Sequence, residues 1–176
     1  MTNHPSLTLI KEGSIFIQET MNRITVTEEV LKVARKGWDE WCSKGMIGCD
    51  EPIKELLISI NKLKGIVTRF CCDGHPDSDE GNSFYICMMC TQEGLENIYK
   101  IYSEVINNLS HELDITYSLQ IEISQLQAME ELRHSDSSPI ISSVTLRAYP
   151  DIEEQRILID RLTTAVEVLL SNPLKE

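Results

Sequence analysis

The stretch Ile66–Cys90 reads IVTRFCCDGHPDSDEGNSFYICMMC and holds four of the chain's six cysteines and one of its four histidines. On its N-terminal side Ile66, Thr68, Phe70 and Cys72 alternate with Val67, Arg69 and Cys71; on its C-terminal side Phe84, Ile86, Met88 and Cys90 alternate with Tyr85, Cys87 and Met89. A period of two in runs rich in β-branched and aromatic residues marks strands. Two such runs around a polar loop predict an antiparallel hairpin. Matching the apolar faces puts Phe70 opposite Ile86, Cys72 opposite Phe84 and Cys90 opposite Ile66.

The hairpin decides how the cysteines are read. As a string, Cys72-x2-His75 with Cys87-x2-Cys90 has the knuckle spacing of zinc ligands. In the hairpin, Cys90 lies six residues along the ribbon from Cys72, about 20 Å at ~3.3 Å per residue, and Cys87 points to the other face. One tetrahedral site does not gather these four, so structural zinc at Cys72, His75, Cys87 and Cys90 is disfavoured. Cys87 and Cys90 read instead as small buried hydrophobes.

Cys72 and His75 remain together at the strand-to-loop corner, where sites are commonly built, with Gly74 between them permitting a left-handed turn. Two chemistries are open. In one, His75 lowers the pKa of Cys72 and the pair is catalytic through a thiolate. In the other, His75 with the loop carboxylates Asp77 and Asp79 holds a divalent metal ion; Asp73 and Glu80 add further acid. A solvated acidic loop whose histidine bonds backbone is the third reading.

Working outward, Ser6–Ile10 and Ser14–Gln18 flank a Lys-Glu-Gly turn and predict an N-terminal hairpin. Thr27 caps a helix with Val30, Ala34, Trp38 and Trp41 near one face and Gly45 as its stop. Asp50 caps a second helix striped by Ile53, Leu56, Leu57, Ile60 and Leu63, ended by Gly65. Beyond the hairpin, Thr91 caps a helix with Leu95, Ile98, Tyr102, Val105 and Leu109 at helical spacing. Strict alternation from Leu113 to Ser124 predicts a strand with one wet face. A polar connection, QLQAMEELRHSDSSP, then leads to a strand over IISSVTLRAYP with Val144, Leu146 and Ala148 on one side. The last helix opens with Asp151 and Glu154 as a capping box and buries Leu158, Leu162, Ala165, Val166 and Leu169.

The fold expected is α+β: a mainly antiparallel four-stranded sheet with helices on one face, in the order helix–strand–strand, twice, then a C-terminal helix. The chain reads as one domain, residues 1–176, with 1–48 as a hairpin-and-helix extension and 49–172 as the core. The helix–hairpin unit repeats in outline, and both hairpin loops carry His-x-Asp-Ser, at His75–Ser78 and His134–Ser137.

The net charge of −12, spread through the chain, argues against general nucleic-acid binding, which relies on clustered Lys and Arg. No apolar run reaches the length of a membrane span. The N-terminus lacks the pattern of a signal peptide, so a cytoplasmic location with reduced thiols is expected. Neither a phosphate-binding Gly-rich loop nor an H-E-x-x-H string occurs. No organic cofactor is expected, and a divalent metal is the one cofactor these residues suggest.

The strands define a second sheet face carrying Arg69, Cys71, Tyr85, Cys87, Thr116, Ser118, Gln120, Glu122, Thr145, Arg147 and Tyr149. Arg69, Tyr85, Arg147 and Tyr149 are candidate ligand-binding residues there, since guanidinium and phenol groups grip a small anionic aromatic ligand such as a nucleotide. Solvent exposure, cover by the N-terminal hairpin and a homodimer interface are the competing readings of this face.

The segment INKLKGIVTRFCCDGHP resembles small α/β proteins commonly encoded by bacteriophages, in which a T-x-F-S-C-x-G-H corner is followed by a Y-I strand. Thr68, Phe70, Cys72, Gly74, His75 and Tyr85–Ile86 match that pattern, and Cys71 replaces the serine. The corner has a fainter likeness to the Ser-Ser-Cys-Ser-Gly corner of the tRNA wybutosine-synthesis methyltransferase family, which has Arg where this chain has His75. The resemblance implies a fold and a phage setting. It leads to the expectation of a small, non-enzymatic binding or accessory protein acting on a host protein or sequestering a small anionic ligand. The alternative is a thiol- or metal-dependent enzyme centred on Cys72 and His75.

Overall fold

The structure is a computed structural model that describes residues 26–75, 83–109, 119–127, 140–149 and 152–172. The expected N-terminal hairpin, residues 113–118 of the expected strand, the His-x-Asp-Ser strings beyond His75, the loop residues Asp77, Asp79 and Glu80, and the cap Asp151 lie outside the described residues. Helix α1 (Glu28–Ser43) is followed by a 3-10 turn (Glu51–Ile53) that runs into α2 (Lys54–Ile60). Then come β1 (Ile66–Cys72), β2 (Phe84–Cys90), α3 (Gln92–Leu109), β3 (Gln120–Gln127), β4 (Ile140–Ala148) and α4 (Ile152–Ser171). The strands form one antiparallel sheet in the order β1-β2-β4-β3 with four helices packed against it, the α+β arrangement expected. Among the described residues no helix is long and apolar enough to cross a membrane.

The helix ends follow local chemistry. Thr27 accepts the Val30 N–H through its hydroxyl, with Glu28 and Glu29 in the first turn. At the other end Met46 N–H donates to the Trp41 carbonyl and Gly45 N–H to that of Cys42. This is a Schellman closure, and it requires the left-handed Gly45 (φ +76°). The buried side of α1 is Leu31, Ala34 and Trp38, with Val30 and Trp41 half-buried at its margin. Ile53, Leu56, Leu57, Ile60 and Leu63 are all buried, although the helix is shorter than the stripe: it ends at Ile60, and Leu63 is buried from the turn before β1. Thr91 caps α3 by accepting the Gly94 N–H.

Ile66, Ile86, Met88, Val144 and Leu146 on the sheet share one apolar cluster with Leu56, Ile60, Leu95, Ile98, Leu158 and Leu162 of the helices. Each is 0% exposed, and a fully buried side chain of this size contributes about 1.5–3 kcal/mol. Helix α4 packs on α2 and α3, while α1 packs on β1 and β2.

The hairpin register is where sequence reasoning and structure part. Cys90 lies opposite Ile66 and Met88 opposite Thr68, as expected. The register then slips between Thr68 and Phe70, so that Phe70 pairs with Cys87, Cys71 with Ile86 and Cys72 with Tyr85. One extra residue, Arg69, bulges from β1, and every later side chain changes face. Phe70 is 51% exposed rather than part of the core face, and Cys71 turns to the core side that Phe70 and Cys72 were expected to share. The expected second face is corrected accordingly: Cys71 leaves it, and Phe70 and Cys72 join Tyr85 and Arg147. The Val67–Met89 end of that face is closed, with Val67, Cys87, Met89 and Thr145 at 0–6% exposure.

Two further differences are local. Strand β3 continues to Gln127, through residues whose polarity suggested a connection, because pairing with β4 runs to Gln127–Ile140. Asp50 precedes the 3-10 turn without capping it, for a reason found at the corner.

Candidate metal centre

Strand β1 ends at Cys72, and the chain turns through Gly74 (φ +95°) and His75 (φ +40°). The turn is held by its own side chains. The carboxylate oxygen Oδ1 of Asp73 accepts the His75 N–H at 2.9 Å, and the sulfur of Cys72 accepts the Gly74 N–H at 3.4 Å. A positive φ at a histidine is uncommon and is sustained here by these bonds. From α4, the buried Gln155 donates its side-chain amide to the Asp73 carbonyl. From the start of the 3-10 turn, Asp50 accepts the Asp73 N–H at 3.0 Å with Oδ2. Its carboxylate is engaged across the fold, which is why it does not cap the helix after it.

The imidazole of His75 lies between the two carboxylates. Nδ1 is 3.3 Å from Asp73 Oδ1, and Nε2 is 3.7 Å from Asp50 Oδ1. One ligand atom from each of Asp50, Cys72, Asp73 and His75 lies within 4.8 Å of the others. Tetrahedral bonds of 2.0–2.3 Å require ligand separations of roughly 3.3–3.8 Å, so closure about an ion takes shifts of about an ångström or less. One nitrogen, one sulfur and carboxylate oxygens suit zinc and its first-row neighbours, whereas magnesium and calcium prefer oxygen alone. The side chains of Asp73 and Asp50 are 11% and 22% exposed, and that of His75 is 50% exposed, which leaves one side of the group open to solvent.

The Cys72 thiol is pushed up in pKa, first by burial and then by the negative charges of Asp50 and Asp73, against the opposing bond from Gly74 N–H. Both ring nitrogens of His75 are turned to carboxylates. The direction is opposite to the thiolate activation considered for the pair. Behind the corner, the Cys49 thiol donates to the Asp50 carbonyl at 3.6 Å and lies beside that of Cys71, each one residue before a member of the group. Burial raises both, Cys71 to about 12.

No protein family, curated protein or solved structure matches this chain. The reading of the site therefore rests on its geometry. Cys72 and His75 come together as expected, and the structure adds Asp50 and Asp73. Asp73 is visible in the string CDGH, whereas Asp50 carries no sequence signal beyond a plausible helix cap, since it joins the group across 23 residues. Asp77 and Asp79 lie outside the described residues. Cys90 sits opposite Ile66 at the far end of β1, and Cys87 opposite Phe70. The slip thus puts Cys87 on the same face as Cys72 rather than the opposite one. It lies two residues along the strand and outside the group within 4.8 Å, while Cys90 is at the far end.

The candidate ligand-binding residues lie beside this corner. Tyr85 is directly opposite Cys72, and Arg147 is opposite Tyr85. The Arg147 guanidinium stacks 5.4 Å over the Tyr85 ring and donates to Ser83 Oγ at 2.6 Å. Arg69 stands 5.7 Å over the ring of Phe70, a residue that strict alternation had assigned to the core. Tyr149 is 58% exposed. A separate groove between α3 and α4, lined by Tyr99, Lys100, Glu104 and Leu169 among others, draws on none of these residues.

Proposed function

We propose that this protein is a small binding protein built around one divalent transition-metal ion, held by Asp50, Cys72, Asp73 and His75. The observation that carries the reading is the convergence of four metal-ligating groups within 4.8 Å, from the 3-10 start, the strand end and the turn. Two largely buried carboxylates side by side repel each other when ionised, and a cation between them removes that cost. A metal also explains a thiol at this corner: coordination deprotonates the sulfur, which its surroundings here do not.

The test is titration of chelator-treated protein with Co2+, followed by absorption. Binding at this centre produces a thiolate-to-cobalt charge-transfer band that Zn2+ displaces, and both Cys72→Ser and His75→Ala abolish it. A protein that binds no Co2+, or whose spectrum is unchanged by Cys72→Ser, would overturn the reading.

The alternative, a metal-assisted enzyme at Cys72 and His75, uses the same centre. It draws on the exposed side of His75, which leaves an ion accessible to a substrate. Thiol catalysis without metal gains nothing from a thiol shifted upward.

A further inference from the structure

The geometry points to a second component of this site: a platform for a nucleoside phosphate on the sheet face beside the metal corner. The inference rests on the metal reading for one of its contacts.

Cys72, Tyr85 and Arg147 form one row across β1, β2 and β4, two strand spacings or about 10 Å long. The metal corner stands at one end of the row and a guanidinium at the other. Arg147 is positioned by the Tyr85 ring beneath it and by Ser83 Oγ. The stacked guanidinium supplies a fixed positive charge on this face, of the kind that phosphate recognition uses. The bulge brings a second such unit to the same face, Arg69 over Phe70. Bulges commonly re-aim side chains next to sites, and this one moves a phenyl ring out of the core and leaves it 51% exposed.

Charge and ring chemistry select the occupant. In a chain of net charge −12, Arg69 and Arg147 stand on the sheet face beside the proposed metal corner, which favours an anion. Phe70, 51% exposed and two residues from Cys72 on β1, presents a ring of the kind on which bases stack. A nucleoside phosphate meets both demands, with its phosphate between metal and guanidinium and its base on the Phe70 ring. Without metal, the carboxylates of Asp50 and Asp73 repel the phosphate, so the ion acts as a switch for ligand binding.

The experiment is calorimetric titration of zinc-loaded protein with adenosine 5′-monophosphate, with adenosine and inorganic phosphate as separate probes. The monophosphate is expected to bind at least tenfold tighter than either fragment, and at least tenfold tighter than to chelator-treated protein. Phe70→Ala, at an exposed position, is expected to weaken it at least fivefold while leaving Zn2+ affinity unchanged. Equal affinity for the monophosphate and inorganic phosphate, or insensitivity to Phe70→Ala, would overturn the platform while leaving the metal centre standing. Ring-sensitive binding in a protein that takes up no Co2+ would sink the metal reading and its switch, and leave the platform.

Discussion

Asp50 reaches across 23 residues of sequence to accept the backbone N–H of Asp73 at 3.0 Å, so the start of α2 and the end of β1 are fastened at the proposed metal corner. Its second oxygen faces His75. The two jobs are separable. Asp50→Asn keeps an oxygen for the Asp73 N–H and loses the charge, so stability should change by less than about 0.5 kcal/mol, while Co2+ affinity falls at least about tenfold. Asp50→Ala loses both, and leaving the donor unpaired should cost about 1–3 kcal/mol. Urea denaturation and cobalt titration of the two variants check this; equal stability would contradict the fastening role.

Metal affinity should rise with pH. The Cys72 thiol must lose a proton on binding, and burial together with Asp50 and Asp73 raises the pH at which it would do so alone. Below that pH each ion displaces a thiol proton, which gives about a tenfold gain per pH unit from this group. Cobalt titrations at pH 6, 7 and 8 should show the trend, and Cys72→Ser should flatten it. A pH-independent affinity would place the metal elsewhere.

Two glycines that look alike in sequence should respond in opposite ways. A Cβ at Gly94 would lie 2.0 Å from the Gly65 carbonyl oxygen and 2.6 Å from its carbon, where the β1 and α3 starts pass each other. Both contacts are backbone, so Gly94→Ala should cost at least about 2–3 kcal/mol. Gly37, exposed in the middle of α1, has nothing within 4 Å of the same atom. Gly37→Ala should gain up to about 1 kcal/mol of helix propensity. Thermal unfolding of both variants measures the contrast.

Most of the architecture was legible because patterning and local chemistry agree: the Thr27 and Thr91 caps, the Ile53–Leu63 stripe, and the period-two runs of β1 and β2. What escaped was non-local. Nothing in IVTRFCC marks Arg69 as a bulge, since β-strands of either register read with the same alternation, and only pairing with Cys87 and Tyr85 reveals the slip. The corner was half legible. Cys72 and His75 share a turn, so spacing found them, whereas Asp50 carries the ordinary signal of a helix cap and is recruited only by tertiary approach.

Among the described residues strand β1 is an edge of the sheet, and its outward groups are covered by side chains. Arg35 of α1 donates to the carbonyls of Ile66 and Asn61, the latter at 2.6 Å. The Asn61 side chain accepts the Thr68 N–H at 3.0 Å and donates to the Thr68 hydroxyl at 2.7 Å. Such cover protects an edge from pairing with other chains. Arg35→Leu should cost about 1–3 kcal/mol by leaving the Ile66 carbonyl unpaired, and it should raise aggregation during refolding, measured by light scattering. Asn61→Leu should do the same, and the double variant should lose less than the sum because the two residues share one network. Strict additivity would contradict the shared cover.

The last prediction concerns alkaline stability. Cys90 is 1% exposed, and burial, reinforced by Cys87, raises its pKa to about 12. In the unfolded chain a thiol titrates near 8.5. A group whose folded pKa is raised contributes stability that is complete below the unfolded pKa and is lost as pH climbs toward the folded one. The native state therefore keeps the Cys90 proton where the unfolded state has released it, and stability should fall by about 1.4 kcal/mol per pH unit above roughly 8.5. Cys71 moves in the same direction, but its partial exposure makes its share smaller. Cys90→Ala removes a buried sulfur and should be less stable at pH 7, yet it lacks this slope. Between pH 8.5 and 10 the gap between variant and parent should narrow by about 2 kcal/mol, read from urea midpoints at pH 7, 8.5 and 10. Parallel profiles for the two proteins would show that the Cys90 thiol does not titrate on unfolding, and would remove its burial as a source of alkaline lability.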